Sequence, residues 1–104
     1  MALTAKDLST GALLDVYGAF LSEKCREIMS HYYNDDLSLA EIAENEGTTR
    51  QAVSDIIRRG ESAVKRYEKE CGYYEKISCI KKILSSDETA DSKLQKISEI
   101  AKDF

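Results

Sequence analysis

The chain of 104 residues contains no proline and no tryptophan, and it has a single histidine. Proline interrupts helices, so its complete absence favours long helical segments. Regular alternation of apolar and polar residues, which marks half-buried strands, is also scarce. The sequence therefore predicts an all-α protein.

Long apolar runs are missing as well. No stretch approaches the roughly 20 apolar residues that a helix needs to span a bilayer. The N-terminus lacks the basic-then-apolar arrangement of a secretion signal. We therefore expect a cytoplasmic protein with no membrane partner.

Cysteine and histidine are too few for the common metal and catalytic sites. The three cysteines, Cys25, Cys71 and Cys79, form no CxxC pair, and His31 is the one histidine. Together they offer too few ligands for a typical zinc site, and no serine or cysteine has an evident histidine partner. A glycine-rich phosphate loop is also absent. We therefore expect no catalytic residues, no metal and no cofactor.

Residues 38–59, SLAEIAENEGTTRQAVSDIIRR, predict two short helices joined by a tight turn. Ala43 provides a small side chain where the second helix would cross the first. Gly47, four positions later, tolerates a positive φ in the turn. Val53 and Ile56 are expected to face the core. This spacing predicts a helix-turn-helix.

The second of these helices carries a polar face that is expected to point outward, and such a face can lie in the DNA major groove. Gln51 could read adenine, and Arg50 or Arg58 could read guanine or hold phosphate. Asp55 would either accept from a cytosine amine or pair with an arginine three or four residues on. Lys65 and Arg66 would add phosphate contacts. The predicted nucleic-acid site comprises Thr49, Arg50, Gln51, Ser54, Asp55, Arg58 and Arg59.

The charge of the chain limits how strongly it can attract nucleic acid. Its formal net charge of −4 argues against a strong, indiscriminate binder. Within residues 48–69, however, six basic residues stand against three acidic ones, a local net charge of +3. Any attraction to phosphate is therefore expected to be local and modest.

Capping residues and helical periodicity place the helices. A first helix is predicted from about Lys6 to Leu21. Ser22 is the predicted N-cap of the second helix, and Ser38 with Glu41 forms a predicted capping box for the third. Thr49 is the predicted N-cap of the fourth.

The fourth helix is predicted to continue well beyond the turn motif, with an apolar seam whose steps of four and three match the coiled-coil period. This seam predicts a homodimer, which would set the spacing of two recognition helices. Gly72 is expected to bend or break the helix. We therefore divide the chain into residues 1–71, with the helix-turn-helix core, and residues 72–104, a C-terminal helical extension of one compact domain. The predicted dimer seam comprises Ile57, Val64, Tyr67, Cys71 and Tyr74.

Residues 17–59 resemble the YlxM (UPF0122) family of small helical proteins. The resemblance rests on the motif YY-x-D-D-x-S-L-A-E-I-A at Tyr32–Ala43 and on R-Q-A-V at Arg50–Val53. It implies a helix-turn-helix like the last DNA-binding region of sigma factors. Family members are usually encoded beside genes of the signal recognition particle or its receptor, so the resemblance also implies a regulatory role in that pathway.

With this resemblance we predict a nucleic-acid-binding regulatory protein of the signal recognition particle pathway, and three forms of function stay open at this point. The chain could be a nucleic-acid-binding regulator, including a sequence-specific transcription regulator unrelated to protein targeting. It could be an adaptor that touches the RNA or the GTPase of the signal recognition particle through a basic strip extended to Lys65, Arg66 and Lys69. It could also be a dimeric interaction module without a nucleic-acid ligand.

Overall fold

The computed structural model describes residues 8–104, and within that range it contains helices and no strands. The all-α prediction is thereby confirmed. The predicted start of the first helix at Lys6 lies outside the described residues. At its other end the α-helix stops earlier than predicted, because a short 3-10 helix replaces its last turn. The elements are α1 (Leu8–Tyr17), the 3-10 helix (Gly18–Phe20), α2 (Glu23–Tyr33), α3 (Leu39–Glu46), α4 (Arg50–Cys71), α5 (Tyr73–Leu84) and α6 (Ala90–Ala101).

The predicted N-caps are confirmed in three helices. Ser22 Oγ accepts a hydrogen bond of 3.2 Å from the backbone N–H three residues on, and Thr49 Oγ1 accepts one of 3.0 Å in the same way. Ser38 and Glu41 form the full capping box, with two reciprocal side-chain-to-backbone bonds of 3.1 Å. Each cap satisfies backbone donors that have no partner inside the helix, which fixes where α2, α3 and α4 begin.

The turn between α3 and α4 has the geometry that the sequence predicts. Gly47 ends α3 in the left-handed region, with φ of 67°. Ala43 is buried against α4, and its carbonyl accepts a 3.0 Å hydrogen bond from the N–H of Thr48. A side chain at Gly47 would raise the energy of this backbone conformation, so the residue sets the angle at which α4 leaves α3.

The core forms where α1, α2 and α3 all pack against α4, and it consists of two clusters that share a contact with Leu21. Full burial of a large apolar side chain stabilises a fold by about 1.5–3 kcal/mol, so these clusters supply most of the driving force. The largest fully buried apolar side chains are Tyr17 and Val64 in one cluster and Ile28, Met29, Ile42, Val53 and Ile57 in the other.

Gly60 allows α2 to approach α4 closely. A Cβ atom at this position would overlap the sulfur of Met29 and lie 3.0 Å from the sulfur of Cys25. A glycine inside a helix costs about 1 kcal/mol relative to alanine. Here that cost is offset by the packing that the missing side chain permits, so Gly60 is a contact point in the core. From the sequence, Gly60 was only a position of the apolar seam that offers little surface for packing.

The predicted dimer seam lies largely inside the chain, which corrects the prediction for its first two residues. Ile57 and Val64 are 0% exposed because they pack against α1 and α2. Neither can contact a second chain while the fold is intact. Tyr67 and Cys71 are half-buried beside the same core, and Tyr74 is exposed.

Gly72 breaks the long helix. It ends α4 with φ of 68°, and α5 starts at the next residue. The carboxylate of Glu68 then caps α5 by accepting bonds of 3.0 and 3.1 Å from the N–H groups of Tyr74 and Glu75, and it also accepts 2.6 Å from the hydroxyl of Tyr17. This network fixes the direction in which the chain leaves the core. The division expected at residues 71/72 falls at this break and stays a prediction.

The helices α5 and α6 form a hairpin without a fully buried residue. The described chain measures 54 × 24 × 22 Å and has a radius of gyration of 17.1 Å. A compact domain of this length has a radius of about 13 Å, so the molecule is elongated. Among residues 8–104, no helix combines the length and apolar character needed to cross a bilayer.

Candidate nucleic-acid interface

The start of α4 presents its polar side chains away from the core. Thr49, Arg50 and Gln51 are all exposed, whereas Val53 and Ile57 on the opposite side of the helix are completely buried. One side of α4 therefore packs against the core, and the other faces solvent. We call the polar residues that reach solvent near its start the recognition face. They are Thr49, Arg50 and Gln51, which are exposed, and Asp55 and Arg58, which are half-buried.

Arg50 projects from the first turn of α4. Among residues 8–104 its guanidinium has neither an ion-pair nor a hydrogen-bond partner. Thr49 beside it uses one oxygen lone pair for the N-cap and keeps its O–H as a donor. The recognition face thus offers a guanidinium and a hydroxyl donor at the N-terminal end of the helix, where the helix dipole also favours negative charge.

Asp55 organises the second turn. Its Oδ1 accepts a 3.0 Å hydrogen bond from Nε2 of Gln51 and a charge-assisted bond from Nη2 of Arg58. The Arg58 guanidinium, with help from Gln51, holds the pKa of the Asp55 carboxyl below its usual value. Pairing with an arginine was one of the two alternatives derived from the sequence, and it is the one that the geometry contains. The charge of the carboxylate is thereby balanced by that of Arg58, and its repulsion of phosphate is reduced.

Ser54 is not part of the exposed face, which corrects the sequence prediction. It is 3% exposed, and within the described chain its hydroxyl has no hydrogen-bond partner. Ser54 lies three residues before Ile57 and so falls on the buried stripe of α4. The spacing of this small residue from the core positions indicated burial, but serine is polar and was therefore assigned to the exposed side.

A basic strip continues the recognition face along α4. We define it as Arg58, Arg59 and Arg66, which line one shallow depression together with Ser62. Arg66 lies seven and eight residues after Arg59 and Arg58, which is about two helical turns and keeps the three on one side of the helix. The guanidinium of Arg66 lies 5.7 Å from the ring centre of Tyr67, which orients it. Lys65 is exposed next to this strip.

The structure also brings part of α2 to the strip. Ser22, Lys24 and Cys25 form a small groove with Ile56 and Arg59 of α4. Lys24 therefore lies near the predicted phosphate-binding residues, although Lys24 and Arg59 are more than thirty positions apart in the sequence. No local pattern could reveal this proximity, because it depends on how α2 packs across α4.

Comparison with known proteins places this geometry in context. Residues 4–104 match the family described as "Putative helix-turn-helix protein, YlxM / p13 like", UPF0122. A UPF0122 protein of Clostridium kluyveri is 57% identical over 56 residues, which are 54% of this chain and 50% of that protein. A UPF0122 protein of Symbiobacterium thermophilum is 48% identical over 69 residues, 65% of this chain and 64% of its own length.

A longer match covers most of the chain. The UPF0122 protein of Shouchella clausii is 39% identical over 94 residues, which cover 84% of this chain and 86% of that protein. In the Clostridium kluyveri case, by contrast, the chain spans only about half the length of its relative.

Proposed function

This chain belongs to the UPF0122 (YlxM / p13-like) family of helix-turn-helix proteins, and we propose that it is a regulator that binds duplex DNA through the recognition face of α4. One observation carries the proposal. Val53 and Ile57 on one side of α4 are buried in the core. Exposed residues lie at the start of the helix, and they are Thr49, Arg50 and Gln51. This is the arrangement that lets the N-terminal residues of a recognition helix reach base edges in the major groove.

Gln51 and Asp55 together support direct readout of a base. The amide of Gln51 has two N–H donors and a carbonyl acceptor. One N–H is used on Asp55 at 3.0 Å. The other N–H and the carbonyl oxygen remain for the bidentate pattern that adenine presents. Asp55 would then orient Gln51 and need not contact a base itself.

Arg50 and the basic strip supply the electrostatic part of binding. Neutralising two to four phosphates gives a slope of log K against log salt of about −2 to −4, since each contact contributes roughly −0.9. The net charge of −4 on the whole chain keeps non-specific attraction weak. We therefore expect binding that weakens steeply as salt is raised and that depends on sequence.

The test is selection of a binding site from random duplex DNA, followed by fluorescence anisotropy at several salt concentrations. We expect Arg50→Ala to weaken binding about tenfold or more, since a good arginine–guanine pair contributes about 1–3 kcal/mol. Lys81→Ala removes the same charge from an exposed position on α5 and is the matched control. Equal affinity of the Arg50 variant and the wild type at low and moderate salt would remove Arg50 from the site.

A narrower proposal concerns the signal recognition particle, and it is supported by the family resemblance alone. In this form the chain acts in protein targeting and contacts the particle's RNA or its GTPase. A helix cannot easily enter the deep, narrow major groove of duplex RNA, so the basic strip with Lys65 and Arg66 would contact phosphates instead. Pull-down with the purified RNA and GTPase tests this. If neither the RNA nor the GTPase retained the chain, and the chain gave a sequence-specific DNA footprint, the proposal of a role in protein targeting would be eliminated.

The homodimer also stays a proposal, now with a smaller set of residues. Of the predicted seam, Tyr67, Cys71 and Tyr74 keep surface that a second chain could contact. Sedimentation equilibrium at high micromolar concentration tests it, and a strictly monomeric mass would refute it. A dimeric chain that binds no duplex would favour the third function, an interaction module.

A further inference from the structure

A cluster of possible metal ligands lies between α2 and the end of α3. Glu27 and His31 are four residues apart and share one face of α2. Glu46 is the last residue of α3. One ligand atom from each lies within 4.8 Å of the others. Nineteen residues separate the first of these from the last, so the sequence alone gave no reason to group them.

The imidazole of His31 is oriented by a fourth residue. Its Nδ1 lies 2.8 Å from a carboxylate oxygen of Asp35. A carboxylate can only accept, so Nδ1 carries the proton of the neutral ring. The lone pair of Nε2 is then directed to the side of Glu27, whose carboxylate oxygen is 3.9 Å away. This carboxylate–histidine arrangement is the one that prepares a histidine for a metal ion.

The donor set selects the class of ion. Two carboxylates and one imidazole suit a borderline divalent ion such as Zn²⁺ or Co²⁺, whereas Mg²⁺ and Ca²⁺ prefer oxygen alone. Ligand atoms on a tetrahedral ion lie about 3.4 Å apart, given bonds of roughly 2.1 Å. The three side chains need to close by about 1 Å from their present spacing, and Glu27 is exposed enough to do so.

Lys24 is the competitor at this place. Its ammonium forms an ion pair with Glu46. This pair partly offsets the repulsion between the carboxylates of Glu27 and Glu46. A divalent ion would take over that role with twice the charge, and Lys24 is sufficiently exposed to move into solvent.

We propose that Glu27, His31 and Glu46 form a site for a divalent transition-metal ion, with Asp35 orienting His31 and a fourth position open to water. The bound ion links α2 to the last residue of α3, immediately before the Gly47 turn. It therefore stabilises the angle at which α4 leaves the core. The site does not depend on whether α4 binds nucleic acid.

The experiment is a titration of the full chain with Co²⁺ at pH 7.5, followed by visible absorption and by the melting temperature. We expect one ion per chain, ligand-field bands of a four- or five-coordinate site, and a higher melting temperature with Co²⁺ or Zn²⁺. Mg²⁺ should give no shift. Thiolate-to-cobalt charge-transfer bands should be absent, because none of the three cysteines belongs to the site.

Variants identify the ligands. His31→Ala and Glu46→Gln should each weaken Co²⁺ binding more than tenfold, and Asp35→Asn by about tenfold, as outer-shell partners do. Lys24→Met should strengthen binding, because it frees Glu46. Glu44→Gln, at an exposed position on α3, is the matched control and should leave binding unchanged. Circular dichroism confirms that each variant folds.

Three results would overturn the proposal. The first is the absence of Co²⁺ and Zn²⁺ binding up to millimolar concentration. The second is binding that His31→Ala leaves unchanged. The third is strong charge-transfer absorption, which would assign the ion to cysteine. Weaker binding by Lys24→Met would also contradict the competition between Lys24 and the ion.

Discussion

Replacement of Gly60 by alanine measures how closely α2 approaches α4. The added methyl group would overlap the sulfur of Met29 and press on that of Cys25. Met29 is 0% exposed, so it cannot turn into solvent to make room. Alanine gains about 1 kcal/mol in helix propensity, whereas overpacking costs about 1–3 kcal/mol. The Cβ would lie well within van der Waals contact distance of the Met29 sulfur, so the overpacking cost should fall in the upper part of that range, about 2–3 kcal/mol. We therefore expect a net loss of about 1–2 kcal/mol.

Urea unfolding followed by circular dichroism gives the free energy directly. A loss of this size corresponds to a fall in melting temperature of roughly 5–10 °C for a domain of about 100 residues. Ser62→Ala is the matched control, since it lies at an exposed position two residues further along the same helix. It should stabilise the chain by up to about 0.5 kcal/mol through propensity alone.

A double-mutant cycle isolates the contact. Met29→Ala alone should cost about 2–5 kcal/mol because it leaves a cavity. In the Gly60→Ala background the new methyl group fills part of that cavity, so the cost should be at least about 1 kcal/mol smaller. If Gly60→Ala stabilised the chain as Ser62→Ala does, the close approach of the two helices would be refuted.

Three further predictions concern the turn and the start of α4. Gly47→Ala should lower the free energy of unfolding by about 1 kcal/mol, because φ is 67° there and no atom lies within 4 Å to add a steric term; an unchanged urea midpoint would contradict this. The lowered pKa of Asp55 means that its bond to Arg58 stabilises the fold above the ordinary carboxyl value of 3.8 and loses this effect as the pH falls through the lowered pKa. Asp55→Asn should therefore flatten the dependence of unfolding free energy on pH below the ordinary carboxyl value of 3.8, and an unchanged slope would show that the pair is not formed. Ser54→Ala should raise the free energy of unfolding by up to about 1 kcal/mol, since it removes a buried hydroxyl without a partner, and should leave DNA affinity unchanged; lost affinity in a folded variant would return Ser54 to the interface.

Local features of the fold could be predicted from the sequence. The caps at Ser22, Ser38 and Thr49 depend on residues three positions away, and the turn depends on the backbone freedom of Gly47. Such signals lie within a few neighbouring residues, so one sequence contains them completely. The break at Gly72 was predicted as either a bend or a break, because the choice depends on how Glu68 caps the next helix.

The choice of packing partner could not be predicted in the same way. The seam containing Ile57 and Val64 has a coiled-coil period, but three short helices of the same chain can cover it as well as a second copy can. Ser54 was predicted to face outward for the same reason, since the sequence does not show which side of α4 the other helices cover. Glu27 and Glu46 come together only after α2 packs beside α3, and no spacing in the sequence encodes that contact.

Methylation protection at guanine N7 on a selected duplex shows directly whether the start of α4 enters the major groove, because N7 lies in that groove. The wild-type chain should protect guanines within the selected site. Arg50→Ala should lose protection at specific guanines, while Lys81→Ala should keep it. Protection that is identical in the Arg50 variant, or a chain that selects no duplex from the random pool, would contradict binding through the start of α4.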